Sequence, residues 1–168
     1  MDSRFESTVD VYTSIADMNS THHELPDLPC MCASFRRASR ALTQLYDEAL
    51  RPLGLRATQF TILQALSMAG EVSQGELAQI LAMDSTTLTR TLRIMGREGW
   101  IAERRGEDRR ERLLRLAKAG RYEFNRALPS WEKAQAQLGR QLGDKRWHAL
   151  MKLTNEVTTL VTTQGGLS

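Results

Sequence analysis

Residues 73–121 have the sequence SQGELAQILAMDSTTLTRTLRIMGREGWIAERRGEDRRERLLRLAKAGR. This stretch carries a series of local structural signals in a fixed order. Ser73, followed three residues later by Glu76, is a capping box, which predicts the start of a helix. A turn at residues 82–84 then leads into a second helix that begins at Ser85. Two helices joined by so short a turn predict a helix-turn-helix.

A basic hairpin follows this pair of helices. Residues 100–104 and 112–116 have the pattern of paired strands, and residues 106–110 form the tip between them. The combination predicts a mainly α fold with a small β-hairpin wing (α+β), which is a winged helix-turn-helix. Such a fold offers one helix to the major groove of DNA and a cationic tip to the minor groove or the phosphates.

The second helix of the pair, predicted over residues 85–98, has two different faces. Leu88, Leu92 and Met95 share a stripe that is expected to be buried, whereas polar side chains point the other way. Hydroxyl and guanidinium groups bind phosphates and base edges, so this polar face predicts DNA contacts. Helix capping is the competing role for Asp84 and Ser85. The predicted DNA contacts are Ser85, Thr86, Thr87 and Arg90.

Helical spacing continues on both sides of the winged motif. Helices are predicted over about 29–50 and 57–68, and again beyond residue 121 to about 163 with an interruption at 142–144. The last helix has apolar positions that one subunit alone does not cover, so we predict a homodimer formed by the N- and C-terminal helices. Those apolar positions are Trp147, Leu150, Met151, Thr154, Val157 and Val161.

The chain is predicted to divide into four segments. Residues 1–28 form a flexible acidic N-terminal tail, and residues 29–56 form an N-terminal dimerisation helix. Residues 57–121 form the winged helix-turn-helix DNA-binding region. Residues 122–168 form the C-terminal dimerisation helices.

Charge and hydropathy indicate the partners and the setting. Residues 97–121 hold nine Lys or Arg against five Asp or Glu, a net +4, whereas residues 1–27 hold one Arg against six acidic residues, a net −5. This asymmetry favours a local anion-binding surface. No apolar run approaches the roughly 20 residues that cross a bilayer, so we expect a cytoplasmic protein with no membrane contact.

The local motifs of common enzymes and cofactor sites are missing from the sequence. It contains no Walker sequence, no glycine-rich dinucleotide turn, no helical pair of metal-binding histidines and no supported Ser-His-Asp arrangement. We therefore expect no enzymatic activity, no cofactor and no resident metal.

The chain resembles the MarR family of bacterial transcription regulators from about Cys32 to Leu160. The resemblance implies a triangular dimer with interleaved terminal helices at the apex and two winged motifs below. It also implies repression at a palindromic operator, usually relieved by a small molecule or an oxidant. The matching motifs are LGL at 53–55, TQFTIL at 58–63, ELA at 76–78, DSTTLTR at 84–90, GWI at 99–101, DRR at 108–110 and LAKAG at 116–120.

The resemblance also implies roles for three residues of the wing. Asp108 would form an ion pair that orients Arg110 into the minor groove of DNA. Arg109 would contact a neighbouring phosphate, or the two arginines would exchange these roles. The two recognition helices of the dimer would then enter successive major grooves about 34–36 Å apart.

Cys30 and Cys32 are the most unusual local feature outside the winged motif. Within the resemblance, Cys32 falls where the organic-hydroperoxide-sensing branch carries its reactive cysteine, and Tyr46 matches one of its tyrosine partners. Arg36 and Ala57 stand where that branch has its other tyrosines. Oxidation at the dimer apex would introduce a larger polar group and shift the two winged motifs. The alternative is a small buried core residue at Cys32.

Four further hypotheses about function remain open. Soft-metal sensing would add His22 or His23 to the two thiols. A thiol peroxidase using Cys32 would turn over peroxide with a reductant, whereas a regulator would react once and lose DNA affinity. A winged fold without DNA binding would be a protein-interaction module. The family also implies a small aromatic or phenolic ligand, with candidate lining residues Arg40, Phe35, Tyr46 and Phe60.

Overall fold

The computed structural model describes residues 26–106 and 111–164. Within them the helices are α1 Met31–Leu50, α2 Ala57–Ala69, α3 Gln74–Leu81, α4 Ser85–Arg97, α5 Lys118–Leu142 and α6 Asp144–Gln164. A 3-10 helix, Arg51–Leu53, follows α1, and the strands are β1 Val72–Ser73, β2 Ile101–Arg105 and β3 Arg112–Leu116. The predicted mainly α fold with a small β wing is confirmed.

The described residues fall into two separate units, one that ends at Ala41 and one that begins at Leu42. In the first unit, described from residue 26, no side chain is buried. Local hydrogen bonds shape it: the Ser34 hydroxyl donates to the Leu28 carbonyl at 3.1 Å, and the Arg37 guanidinium donates to the Pro26 carbonyl at 2.7 Å. The hydrophobic core described next belongs to the second unit.

Helix α2 is the centre of that core because its apolar residues occupy more than one face. Phe60 is 1% exposed, and its ring centroid lies 5.5 Å from those of both Phe124 and Trp131 in α5. Stacking of this kind adds to the stabilisation from burial alone. Phe60 was predicted as a candidate ligand-lining residue, and that prediction is wrong because its side chain is enclosed by the core. The buried residues of α2 are Phe60, Ile62, Leu63 and Leu66.

The strands form an antiparallel sheet in the order β1-β3-β2. Ile101 pairs with Leu116, and alternation along both strands turns these side chains and Leu114 into the core. Arg104 and Arg115 consequently lie on the opposite, exposed face. The alternating pattern of the sequence predicted β2 and β3 but not β1, because a strand of two residues has no periodicity.

Helix α3 buries only part of its apolar residues. Leu77 is fully buried, whereas Ile80 is 54% exposed. With about 100° between successive residues, Leu77, Ala78 and Leu81 share one face and Ile80 lies well outside it. A helix of only eight residues can bury one narrow stripe, and Ile80 is not on it.

The predicted interruption at residues 142–144 is present between α5 and α6. The Gly143 N–H donates to the Gly139 carbonyl at 2.8 Å, which ends α5, and the Trp147 N–H donates to the Gly143 carbonyl at 3.0 Å as α6 begins. Gly143 has φ of 74°, a conformation that glycine adopts without strain. Across residues 26–106 and 111–164, none of the helices has the length and apolar character that crossing a membrane requires.

Candidate DNA interface

The first helix of the helix-turn-helix begins at the predicted capping box. The Glu76 N–H donates to the Ser73 hydroxyl at 3.1 Å, and the Ser73 N–H donates to the Glu76 carboxylate at 2.8 Å. Ser73 also lies in β1, so one residue joins the sheet to α3. The sheet of the wing and the helix-turn-helix are therefore joined directly at Ser73.

Asp84, rather than Ser85, caps helix α4. Its carboxylate accepts the Thr87 N–H at 2.8 Å, and its carbonyl accepts the Leu88 N–H at 3.0 Å. The Asp84 carboxylate therefore accepts a hydrogen bond from the first turn of α4. Ser85 is exposed at the helix start, where its hydroxyl can face a ligand.

The outward face of α4 forms a shallow concavity of about 390 Å³. It brings together three of the predicted contact residues and adds two that sequence analysis missed, Thr89 and Arg93. The missed arginine had a detectable signal, because Arg93 lies three residues beyond Arg90 and seven beyond Thr86, on the same helical face. Leu88, Leu92 and Met95 are buried on the other side, as predicted. The lining residues are Ser85, Thr86, Thr89, Arg90 and Arg93.

Thr87, the remaining predicted contact of this helix, is exposed but does not line the concavity. Its backbone is engaged at both ends, since its N–H donates to Asp84 and its carbonyl accepts the Thr91 hydroxyl at 3.0 Å. A second concavity of about 450 Å³ lies between the starts of α3 and α4 and the base of the wing. Gln74 and Arg112 are among the residues that line it.

An ion-pair cluster ties the wing to the segment before β1. The Arg104 Nε donates to both Glu71 carboxylate oxygens at 3.0 and 2.9 Å, and its Nη2 also donates to that carboxylate. The Arg115 Nε lies 4.0 Å from the same carboxylate. The Arg104 hydrogen bonds hold the pKa of Glu71 below its usual value. Local sequence patterns could not reveal this contact, because 33 residues separate Arg104 from Glu71.

The predicted wing-tip residues Asp108, Arg109 and Arg110 lie outside the described residues. The base of the tip is closed by a backbone hydrogen bond from the Gly106 N–H to the Glu111 carbonyl at 2.9 Å. The described part of the wing thus leads directly into the segment that carries the predicted cationic tip.

The candidate sensing residues lie in or beside α1. Both Cys30 and Cys32 are exposed free thiols, so the reading of Cys32 as a buried core residue is wrong for the single chain. Phe35 is 39% exposed, and Arg40 is exposed. Tyr46 is half-buried; its hydroxyl donates to the Gln135 side-chain carbonyl, and burial raises its pKa.

The residues proposed for soft-metal sensing are only partly described. His22 and His23 lie outside the described residues. Among residues 26–106 and 111–164, no group of three or more His, Cys, Asp or Glu side chains is placed to hold a metal ion.

Acid should destabilise the helix-turn-helix through its two capping carboxylates. The pKa of Glu76 lies below its usual 4.5 because it accepts hydrogen bonds from the Ser73 N–H and hydroxyl, and that of Asp84 lies below 3.8 because of the Thr87 hydroxyl and N–H. A lowered folded-state pKa gives a stabilisation that is full above the unfolded value and lost as pH falls through the folded value. We therefore expect the urea midpoint to fall below about pH 4.5.

Capping variants that do not titrate provide the check. Glu76→Gln and Asp84→Asn keep the hydrogen-bonding shape, so the double variant should lose less stability between pH 5 and pH 3 than the wild type. Glu156→Gln, in α6, serves as the control and should follow the wild-type profile. An unchanged acid transition in the double variant would locate the acid sensitivity elsewhere.

Known proteins resemble this chain in sequence. Residues 55–111 match the pattern of the MarR family. The chain is 34% identical over 82 residues to the uncharacterised HTH-type transcriptional regulator YwoH of Bacillus subtilis, which covers 49% of this chain and 60% of YwoH. It is 35% identical over 126 residues to the transcriptional activatory protein BadR of Rhodopseudomonas palustris, covering 67% of this chain and 71% of BadR. The aligned part thus spans about three fifths of YwoH.

The fold also resembles a solved regulator structure. The M. tuberculosis transcriptional regulator MosR in complex with DNA superposes with a TM-score of 0.72 at 35% identity. The match covers 80% of this chain and 97% of MosR. Because the identity is 35% and the match covers almost all of MosR, this chain and MosR share a family as well as a fold.

Proposed function

The chain belongs to the MarR family of transcription regulators, and from that membership we propose that it binds a palindromic DNA operator as a homodimer. One observation carries the proposal: α4 buries its apolar face and presents hydroxyl and guanidinium groups in one exposed concavity. The MosR relative, solved in complex with DNA, supports the same function. Such a protein acts in the cytoplasm.

The homodimer is supported by the uncovered face of α6. Leu153, Leu160 and Val161 are 56%, 58% and 65% exposed, an unusual density of apolar surface on one helix. The hydroxyls of Thr154, Thr158 and Thr162 each donate to the carbonyl four residues earlier at 2.8 Å.

Because these hydroxyls are hydrogen-bonded within the helix, they need no polar partner across an apolar contact. Leu150, Leu153, Val157 and Leu160 follow the three- and four-residue spacing that packs one helix against another. A second copy of this chain, offering the same face, is the occupant that we propose.

Substitution of Arg90 tests whether the exposed concavity of α4 contacts DNA. A guanidinium that binds a guanine contributes both affinity and discrimination, so Arg90→Ala should weaken operator binding by about 1–3 kcal/mol and relax the preference at one base pair. Fluorescence anisotropy with labelled duplex at fixed salt would measure this change. Arg51→Ala removes an exposed arginine outside the winged motif and should leave affinity unchanged. Equal affinity of the Arg90 variant and the wild type would remove Arg90 from the interface.

The wing is the second proposed DNA contact. Asp108, Arg109 and Arg110 remain predictions from the family resemblance. The described base of the wing supports them, because the contacts of Arg104 and Arg115 with Glu71 hold the two strands that flank the tip. A wing held in this way loses less freedom when it binds DNA.

We further propose that the regulator is a repressor released by a small ligand or by thiol oxidation. The exposed thiols of Cys30 and Cys32 support the oxidative route, because an oxidant can reach them. A groove of about 690 Å³ between α5 and α6, which includes Trp131 and Trp147, supports the ligand route.

One experiment tests function and release together. The purified protein is mixed with its own upstream DNA, alone and with hydroperoxide, hydroperoxide followed by reductant, or a panel of phenolic compounds. We expect tight binding that is lost with one of these agents, and the loss should be stoichiometric rather than catalytic. A reporter gene downstream of the bound site then distinguishes repression from activation, the role named for the BadR relative. Weak binding to every duplex would contradict the proposal.

A further inference from the structure

The two helices of the helix-turn-helix are joined by one side-chain hydrogen bond between polar groups. Gln74, the first residue of α3, donates from its side-chain amide to the hydroxyl oxygen of Thr89 in α4 at 2.8 Å. Thr89 is partly exposed and lines the concavity with Thr86, Arg90 and Arg93. The hydrogen bond therefore links the start of α3 to the exposed concavity of α4.

This bond occupies one of the two lone pairs of the Thr89 hydroxyl oxygen. The single hydrogen of that hydroxyl is not used by the bond and remains available to donate. Thr91, two residues later, is different because its hydroxyl donates to the Thr87 carbonyl of its own helix. Within residues 26–106 and 111–164, Gln74 is the hydrogen-bond partner of the Thr89 hydroxyl.

We propose that Thr89 is a specificity-determining residue that reads one base pair of each half-site as a hydrogen-bond donor, and that Gln74 is the residue positioning it. The inference rests on the proposed function of operator binding. In the major groove, guanine N7 and O6, adenine N7 and thymine O4 accept hydrogen bonds, whereas the amino group of cytosine only donates. A hydroxyl that donates into the groove favours a base with an acceptor at that place over cytosine.

The test compares base preference rather than overall affinity. The wild type first selects its preferred duplex from a randomised library, and affinities are then measured for every single-base-pair change, each normalised to the variant's own best duplex. At one position per half-site the wild type should discriminate by about tenfold or more. Thr89→Val should reduce this preference to about twofold or less, and Thr89→Ser should retain it, because only the hydroxyl is required.

Gln74→Glu tests the positioning role independently. A carboxylate can only accept, so it would take the Thr89 hydrogen and remove the donor from the groove. This variant should lose the preference at the same base pair, and any uniform loss of affinity from its added negative charge cancels on normalisation. Thr91→Val is the matched control, since it removes a hydroxyl that α4 already uses, and its base preferences should equal those of the wild type.

Each outcome has a definite meaning. An unchanged preference in Thr89→Val, or the same change in Thr91→Val, overturns the role of Thr89. Loss of the preference in Thr89→Val but not in Gln74→Glu overturns the positioning role. A wild type that selects no duplex contradicts the proposed function itself. Thermal melting by circular dichroism confirms that each variant is folded, and Gln74→Glu still tests the inference should Thr89→Val unfold.

Discussion

Replacing Gly120 by alanine should destabilise the fold by about 3 kcal/mol or more, the largest stability effect that we expect from one methyl group. Gly120 is buried in the first turn of α5, and an added Cβ would lie 2.0 Å from the Trp100 carbonyl oxygen and 2.9 Å from its carbon. That carbonyl accepts the Ala117 N–H at 3.0 Å, and the Trp100 N–H donates to the Met95 carbonyl at 3.0 Å. The backbone at Trp100 is therefore held on both sides and cannot move away cheaply.

Gly139 in the same helix is the matched control for this substitution. A Cβ added there meets no heavy atom within 4 Å, so Gly139→Ala should be neutral or more stable by about 0.5–1 kcal/mol through helix propensity. Urea unfolding followed by circular dichroism measures both variants. Equal midpoints for the two would contradict the close approach of α5 to Trp100.

Introducing charge on the exposed apolar face of α6 should have the largest effect on DNA binding. In Leu153→Glu/Leu160→Glu, two side chains that we propose to pack against a second copy become carboxylates, which must be desolvated on association. We expect a folded monomer. Binding to the full palindrome should weaken by about 10²–10⁴-fold, because a dimer gains effective concentration from its second recognition helix. Analytical ultracentrifugation and anisotropy with the selected duplex measure the two consequences.

The control and the half-site distinguish this result from unfolding. Lys152→Ala changes an exposed residue of the same helix, 3.8 Å from Glu156, and should keep both the dimer and the affinity. The double variant should bind a single half-site duplex as weakly as the wild type does, since its recognition helix is intact. A double variant that remains dimeric would show that this face of α6 is not the interface.

Several features of the site were predictable because they depend on neighbours in sequence. The Ser73 and Asp84 caps satisfy N–H groups within three residues, and both are present as hydrogen bonds. The buried stripe of α4 follows from helical periodicity alone. Gly120 shows where such reasoning fails: the helix after the wing was predicted to begin beyond residue 121, yet Gly120 lies inside α5, where the absence of a side chain allows a close approach of the Trp100 backbone.

Sequence by itself determined the order of the helices and of the two wing strands, the winged helix-turn-helix and the polar character of α4, because capping and periodicity are local effects. Only the tertiary structure decided that Glu71 holds Arg104, that Gln74 donates a hydrogen bond to Thr89 and that Phe60 belongs to the core. These contacts join residues that are 15 or more positions apart in the chain. No local pattern encodes such a pairing, since it depends on how whole helices and strands pack against one another.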